Sequence, residues 1–281
     1  MNEFVRIADA LAAAIDALEP ASDSPRLDAE LLLARAIDVP RSYLVAHPED
    51  SLDPDAQDRF RASLEQRRAG MPMAYITGMR EFWSLELMVT PATLVPRPET
   101  ELLVEQVIGY VPRRGEADVL DLGTGSGAVA IAVAKERPCC RVVATDVSEE
   151  AVAVARENAR QHDVANVTFV AGDWTEPVRD QRFDVVASNP PYVRDDDPAL
   201  ESLAFEPRTA LAGGEDGLRD IRRIAAEAPD VTKPDGVLLI EHGADQSEAV
   251  QRILREAGWT EVRDIRDLSG HPRVAFGRKP S

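Results

Sequence analysis

From residue 118 onward the chain alternates short apolar runs with amphipathic ones, and this alternation leaves few folds open. Val119-Leu120-Asp121, residues 141–146, Val167-Thr168-Phe169-Val170, residues 183–187 and Val237-Leu238-Leu239-Ile240 read as strands. Residues 128–136, 149–162, 221–228 and 248–257 between them carry helical spacing. The tail supplies two more strands, around Val262 and at Val274-Ala275-Phe276. Strands joined through helices pair mostly in parallel, because a parallel neighbour is reached only by a long crossover. The expected fold class is therefore α/β: a seven-stranded, mostly parallel sheet with helices on both faces.

The first 75 residues differ. Phe4, Ile7, Leu11, Ile15 and Leu18 recur at helical spacing and stop at Glu19-Pro20. Ser24-Pro25 reads as an N-cap and first-turn proline ahead of Leu27, Leu31 and Ala34. Residues 41–46 form a short helix; Asp53-Pro54 opens another through Phe60 and Leu64, with Gly70 as its stop. This predicts a small helical bundle over residues 1–75. Its arginines, Arg59, Arg61, Arg67 and Arg68, read as a solvated helix face, with partner docking as the sharper alternative. Residues 76–97 are expected to form a β-hairpin linker, one strand over residues 82–89 and the next at Thr93-Leu94-Val95. The third segment, residues 98–281, opens with a helix after Pro98-Glu99 whose inward stripe is Leu102, Leu103, Gln106 and Val107.

Bulk properties exclude several classes. A net charge of −18 opposes a broadly phosphate-binding surface, so no direct nucleic-acid contact is expected. Met1-Asn2-Glu3-Phe4 is not followed by the apolar core of a signal peptide, and no run is long and apolar enough to span a bilayer. The only cysteines, Cys139 and Cys140, are adjacent and read as reduced thiols of a cytoplasmic protein. His47, His162, His242 and His271 are scattered without ligand spacing, so no metal site is expected.

Two motifs carry chemistry. Asp121-Leu122-Gly123-Thr124-Gly125-Ser126-Gly127 sits where the first parallel strand turns into its helix. Glycines there let a ligand approach the backbone, at a strand end where open α/β sheets bind ligands. Asp146 ends the next strand, at the separation suited to ribose hydroxyls. The spacing is G-x-G-x-G, not the dinucleotide G-x-G-x-x-G, and the carboxylate at Asp121 suits a cationic cofactor such as S-adenosylmethionine better than a pyrophosphate. Asp173 can accept from an adenine amino group and Trp174 can pack on the ring, although a tryptophan at the edge of a core explains Trp174 equally well.

The second motif is Asn189-Pro190-Pro191-Tyr192, directly after the strand at residues 183–187. Two prolines continue neither a strand ladder nor a helix, and each extends the residue before it. Asn189 and Pro190 thereby form a stiff ledge with two acceptors, the Asn189 side-chain oxygen and the Pro190 carbonyl, beside the Tyr192 ring. Such a ledge holds a planar NH2 group by both hydrogens and favours positive charge developing on its nitrogen during attack. Taken alone it is also an ordinary Asn-Pro turn. Arg97, between two prolines, is either a surface arginine or a neighbour of the active site.

Residues 121–127 with Asp146 resemble the class I S-adenosylmethionine-dependent methyltransferases, and Asn189-Pro190-Pro191-Tyr192 resembles the ledge of their amino-methylating members. Arg80-Glu81-Phe82-Trp83, residues 94–103, residues 205–211 and Glu241-His242-Gly243 are similar to the release-factor glutamine N5-methyltransferases, the HemK/PrmC family, over nearly the whole chain. Leu94 stands where some relatives place an aromatic residue. The resemblance implies a Rossmann-like methyltransferase sheet with the helical bundle as a substrate-docking domain. It implies methyl transfer from S-adenosylmethionine to the glutamine of the Gly-Gly-Gln motif in class I peptide chain release factors, in translation termination. Gly123, Thr124, Gly125, Ser126, Gly127, Asp146, Trp174 and Asn189 would then line the cofactor, joined by Asp173 on the reading above. Asn189, Pro190, Pro191 and Tyr192 would form the glutamine pocket, with Asn189 and Pro190 catalytic and a monomer expected. The rivals are methylation of a nucleic-acid base amine or a ribosomal-protein glutamine, and a catalytically silent cofactor-binding module.

Overall fold

A computed structural model describes residues 5–281, so Phe4 of the predicted first helix lies outside the described residues. The chain divides into two compact units, Met1–Gly78 and Met79–Ser281.

The described residues of the first unit form α1 (Ile7–Leu18), α2 (Pro25–Ala36), α3 (Arg41–Ala46), α4 (Pro54–Arg68) and α5 (Met73–Thr77) around Ile7, Leu18, Leu32, Leu33, Leu44 and Phe60. Asp53 caps α4 as its spacing predicts, accepting the Ala56 N–H at 2.7 Å. Ser24 makes no such cap. Its N–H donates to the Ser22 hydroxyl, which itself donates to Asp28. The inward stripe of α2 also differs from the expected one. Of Leu27, Leu31 and Ala34, only Ala34 is buried; Leu27 is 40% exposed, and the buried stripe runs through Ala29, Leu32, Leu33 and Ala36, beside a buried Asp28–Arg67 pair. Arg59 donates twice to the Ala36 carbonyl at the end of α2, so only Arg61 and Arg68 of the four arginines stand in exposed ion pairs.

The second unit opens with a hairpin, β1 (Met79–Phe82) and β2 (Leu85–Met88). This corrects the expected linker strands. The turn falls at Trp83-Ser84, inside the run expected to be one strand, and Thr93-Leu94-Val95 forms none. Both turn residues have positive φ, 52° and 57°, as a two-residue hairpin turn of matching twist requires. Neither is a glycine or an asparagine, so the composition carried no warning. The turn is held from outside: the Trp83 N–H donates to Glu101 at 2.9 Å and the indole N–H to Glu136 at 3.1 Å.

After α6 (Glu101–Tyr110) come β3 (Asp118–Leu122), α7 (Ala128–Glu136), β4 (Arg141–Asp146), α8 (Glu149–Gln161), β5 (Val167–Ala171) and β6 (Phe183–Ser188). They are followed by α9 (Ala199–Ser202), α10 (Arg219–Val231), β7 (Thr232–Glu241), α11 (Ser247–Glu256), β8 (Thr260–Arg266) and β9 (Pro272–Arg278). The sheet order is β5-β4-β3-β6-β7-β9-β8, parallel except for β9, which runs antiparallel to both neighbours. One face packs on α6, α7 and α8 through Leu103, Ile131 and Val152; the other packs on α10 and α11 through Ile221, Ile224 and Leu254.

Two features of this sheet position the site. The chain leaves β3 toward β4 on one side and returns to β6 on the other, and this switch point opens a crevice at the strands' carboxyl ends. Leu122 of β3 lies opposite Ser188 of β6, and the Ser188 hydroxyl donates to the Leu122 carbonyl at 2.8 Å. The glycine loop and the Asn-Pro ledge therefore leave the sheet side by side. Behind them Asn158 of α8 is fully buried. Its amide exchanges hydrogen bonds with both backbone groups of Met88 in β2 and donates to the Ser126 carbonyl in the glycine loop.

Candidate active site

At the switch point lies a cavity of about 300 Å³. One end is walled by Asp121, Gly123, Gly125, Asp146, Asp173 and Trp174, the other by Thr93, Leu94, Pro96, Arg97, Pro207 and Thr209. Thr100, Asn189 and Pro191 are also on its wall.

The first end is built from backbone. Gly123 has φ +73, and a Cβ there would stand 3.1 Å from the Trp174 ring, so this glycine lets the indole close on the loop. The Asp146 carboxylate accepts the Gly125 N–H at 2.8 Å and the Ser148 N–H at 2.9 Å, which ties the end of β4 to the loop. Asp121 is buried and accepts from the Thr124 hydroxyl at 2.6 Å. Burial pushes its carboxyl up to about 6, against the pull of Thr124 and with a further push from Asp146. A buried carboxylate at a cavity wall with its pKa raised this way is what a cationic ligand would relieve. Both acids keep free lone pairs for ribose hydroxyls or an ammonium group. The residues therefore fit S-adenosylmethionine.

Asp173 is on the wall, yet it is held by Arg223 of α10 through both oxygens, at 3.0 and 2.8 Å. An adenine amino group would share it with that guanidinium. Gly127 is not on the wall. A Cβ there would lie 2.8 Å from Ile131 and 3.1 Å from Ala155, so it serves the packing of α7 on α8. The resemblance implies cofactor contact for this third glycine, and the structure shows it packing between two helices off the cavity wall.

The ledge shows a similar division. Asn189 and Pro191 face the cavity; Pro190 is buried and Tyr192 packs into the core beneath. The Tyr192 hydroxyl donates to Glu241 at 3.3 Å, so its ring supports the ledge from behind and is not on the cavity wall. Burial and the neighbouring Glu241 charge raise its pKa. The Asn189 amide donates through Nδ2 to the Thr100 hydroxyl at 3.1 Å, which turns Oδ1 away from Thr100. The segment after the ledge is braced: Val193 exchanges backbone hydrogen bonds with Leu211 and Gly213, and Gln246 donates to the Tyr192 carbonyl.

Several wall residues escaped the sequence reading. Arg97 is one it left open: it lines the cavity and is ion-paired with the buried Glu206, whose other oxygen accepts the Val95 N–H at 3.0 Å. Two stretches quoted for the resemblance, residues 94–103 and 205–211, thus meet as a clasp across the second end. Thr93 and Val147 gave no signal, since threonine and valine carry no chemistry that spacing can flag, and Thr100 was marked only as part of residues 94–103.

Among the described residues no group of three or more His, Cys, Asp or Glu is arranged to hold a metal ion, and no helix is long and apolar enough to cross a membrane. Cys139 and Cys140 are free thiols.

Residues 114–266 match the methyltransferase domain family, and residues 9–78 match the PrmC N-terminal domain. The release factor glutamine methyltransferase of Xylella fastidiosa is 46% identical, over 91% of this chain and 94% of its own. That of Vibrio cholerae is 45% identical over 98% and 97%, and that of Escherichia coli 42% over 92% and 94%. Among solved structures, a methyltransferase from Pyrococcus furiosus superposes with a TM-score of 0.55 at 22% identity, covering 79% of this chain and 98% of its own. The 16S rRNA N2 G1207 methyltransferase of T. thermophilus, solved with AdoMet and guanosine, gives 0.52 at 18%, over 72% and 49%. These two share the fold.

Proposed function

Because the chain belongs to the release factor glutamine methyltransferase family, we propose that it moves a methyl group from S-adenosylmethionine to the side-chain amide nitrogen of a glutamine, the one in the Gly-Gly-Gln motif of class I peptide chain release factors. The observation that carries this reading is the in-register pairing of β3 with β6, which sets the Asn189 ledge beside the glycine loop. The bound cofactor supplies an electrophilic methyl group on a sulfonium.

The protein's own residues do the rest. Gly123, Gly125, Asp146 and Trp174 hold the nucleoside, and ionised Asp121 favours a cation nearby. The Asn189 Oδ1, on the cavity wall, accepts one amide hydrogen, and the carbonyl of Pro190, a buried residue between the two wall residues Asn189 and Pro191, is the acceptor assigned to the other, fixing the nitrogen for in-line attack. The amide lone pair is delocalised, so positive character grows on nitrogen only as the new N–C bond forms and the S–C bond breaks. Acceptors on its hydrogens are strongest at that moment. The neutral amide is too weak an acid to lose its proton first; the proton departs to water afterwards, and the thioether leaves neutral. The clasp of Arg97 and Glu206 walls this end of the cavity. In this reading the protein acts as a cytoplasmic monomer, the helical unit docks the release factor, and no metal, membrane or nucleic acid takes part.

The test is direct. Purified protein with methyl-labelled cofactor labels a release factor carrying Gly-Gly-Gln and leaves its Gln→Ala variant unlabelled. Equal labelling of both would overturn the substrate.

A further inference from the structure

On the proposed reading, the ledge grips only the glutamine side chain. The two glycines before that glutamine carry no side chain, so a site can recognise them only through main-chain carbonyl and N–H groups. The second end of the cavity is poor in donors for such carbonyls. Pro96 and Pro207 of its wall have no N–H, and the Leu94 side chain is apolar. Arg97 stands among them with 33% of its side chain exposed. Of the other wall arginines, Arg223 is taken by Asp173 and Glu227, and Arg219 by Asp220 and the Ala212 carbonyl. Among the described residues Arg97 has one side-chain partner, Glu206, which it meets through Nη2. Its Nε and Nη1 keep their hydrogens for a ligand.

We propose that Arg97 is a substrate-binding residue that donates to main-chain carbonyls of the glycine pair beside the target glutamine, and that Glu206 is the positioning residue that aims it. This rests on the reading that the ledge holds the glutamine of a Gly-Gly-Gln loop. The backbone around Arg97 is fixed at successive residues. The Val95 N–H donates to Glu206 at 3.0 Å, Arg80 donates to the Pro96 carbonyl at 3.3 Å, and the Arg97 carbonyl accepts the Thr100 N–H at 3.1 Å. The Thr100 hydroxyl accepts from Asn189, so Arg97 stands one tight turn from the ledge. A glutamine whose amide rests on Asn189 brings its own main chain, and the glycines joined to it, to this end. Without side chains those glycines lie close against Pro96 and Pro207.

The carboxylate behind Arg97 matters as much as the guanidinium. The Glu206 side chain is 1% exposed, so it is itself held in place. An arginine free in solvent loses rotamer freedom when it binds; one already tethered to a buried carboxylate loses less.

The experiment compares wild type, R97M, E206Q and R97M/E206Q on a Gly-Gly-Gln release factor, with steady-state kinetics at saturating cofactor, cofactor titration and thermal melts. R97M raises KM for the release factor by about tenfold to a hundredfold, the worth of a hydrogen bond from a charged donor, with kcat and cofactor affinity within about threefold of wild type. It also strands Glu206 in the interior without its cation, so its melting temperature falls. E206Q keeps an acceptor for the Val95 N–H but releases the guanidinium, which raises KM by about threefold to tenfold. In the double variant the stranded charge is gone: the melting temperature recovers while KM stays at the R97M value, because Glu206 acts only through Arg97. A purely structural clasp predicts that KM returns to wild type together with the melting temperature, and that result overturns the proposal. An R97M loss shared equally by cofactor affinity, or a wild-type KM in E206Q, overturns it too. Should R97M not fold, the double variant carries the same test. A wild type that labels no glutamine sinks the substrate reading instead.

Discussion

At the residue scale, two side chains separate binding from chemistry. On the proposed mechanism, replacing Asn189 by alanine removes an acceptor that matters most as charge grows on nitrogen. Methyl transfer is expected to fall by about 10²–10³-fold, and cofactor affinity by less than about tenfold. Calorimetry beside a turnover assay distinguishes this from a mainly cofactor-binding role, which predicts matched losses. Asp121 carries the opposite signature. Its carboxyl sits at about 6 because burial disfavours the charge. A cationic cofactor binds the ionised form better, so affinity is flat above pH 7 and falls by up to about tenfold per unit as protonation sets in below 6. Titration of D121N across the same range is expected to give weaker binding with no such slope. Asp121, Gly123, Gly125, Asp146, Asn189 and Pro191 lie on the cavity wall, where their type and spacing pointed, whereas Gly127 and Pro190 do not. The orientation of Asn189, the retreat of Tyr192 from the wall and the Asp173–Arg223 pair were not legible in the sequence, because each depends on a partner distant in the chain.

At the element scale, the predicted strands and helices from residue 118 onward are present, since the central strands of a sheet buried on both faces leave apolar runs, while the short α9 (Ala199–Ser202) was not foreseen. The errors fall where tertiary contacts override local pattern. The turn at Trp83-Ser84 is left-handed without a glycine and is held by Glu101 and Glu136 from α6 and α7. Gly127 shows the same effect from the other side: a motif glycine kept by the approach of two helices. Alanine there must adopt φ +85 and push Ile131 and the backbone of Ala155 aside, at a cost of about 1–3 kcal/mol. Thermal melts with and without cofactor are expected to fall by several degrees in both conditions; a variant as stable as wild type would show that α8 yields easily.

At the scale of the whole molecule, each unit has its own core. The helical unit packs around Ile7, Leu32 and Phe60, and every buried residue of the two sheet-flanking cores lies beyond residue 81. Residues 79–281 expressed alone are therefore expected to melt cooperatively and to bind cofactor with affinity within about threefold of the full chain, while methylating the release factor poorly. Failure of that fragment to fold would mean that the helical unit supplies stability which its separate core does not suggest.

The buried Asn158 has a consequence for biosynthesis. It supplies the hydrogen-bonding partners that Met88 lacks, from 70 residues further along the chain. At roughly 5–20 residues per second, a ribosome delivers that partner several seconds after it has delivered the hairpin. During that interval a newly made ribbon edge stands open to any passing strand, and the residue that closes it also braces the glycine loop of the candidate site.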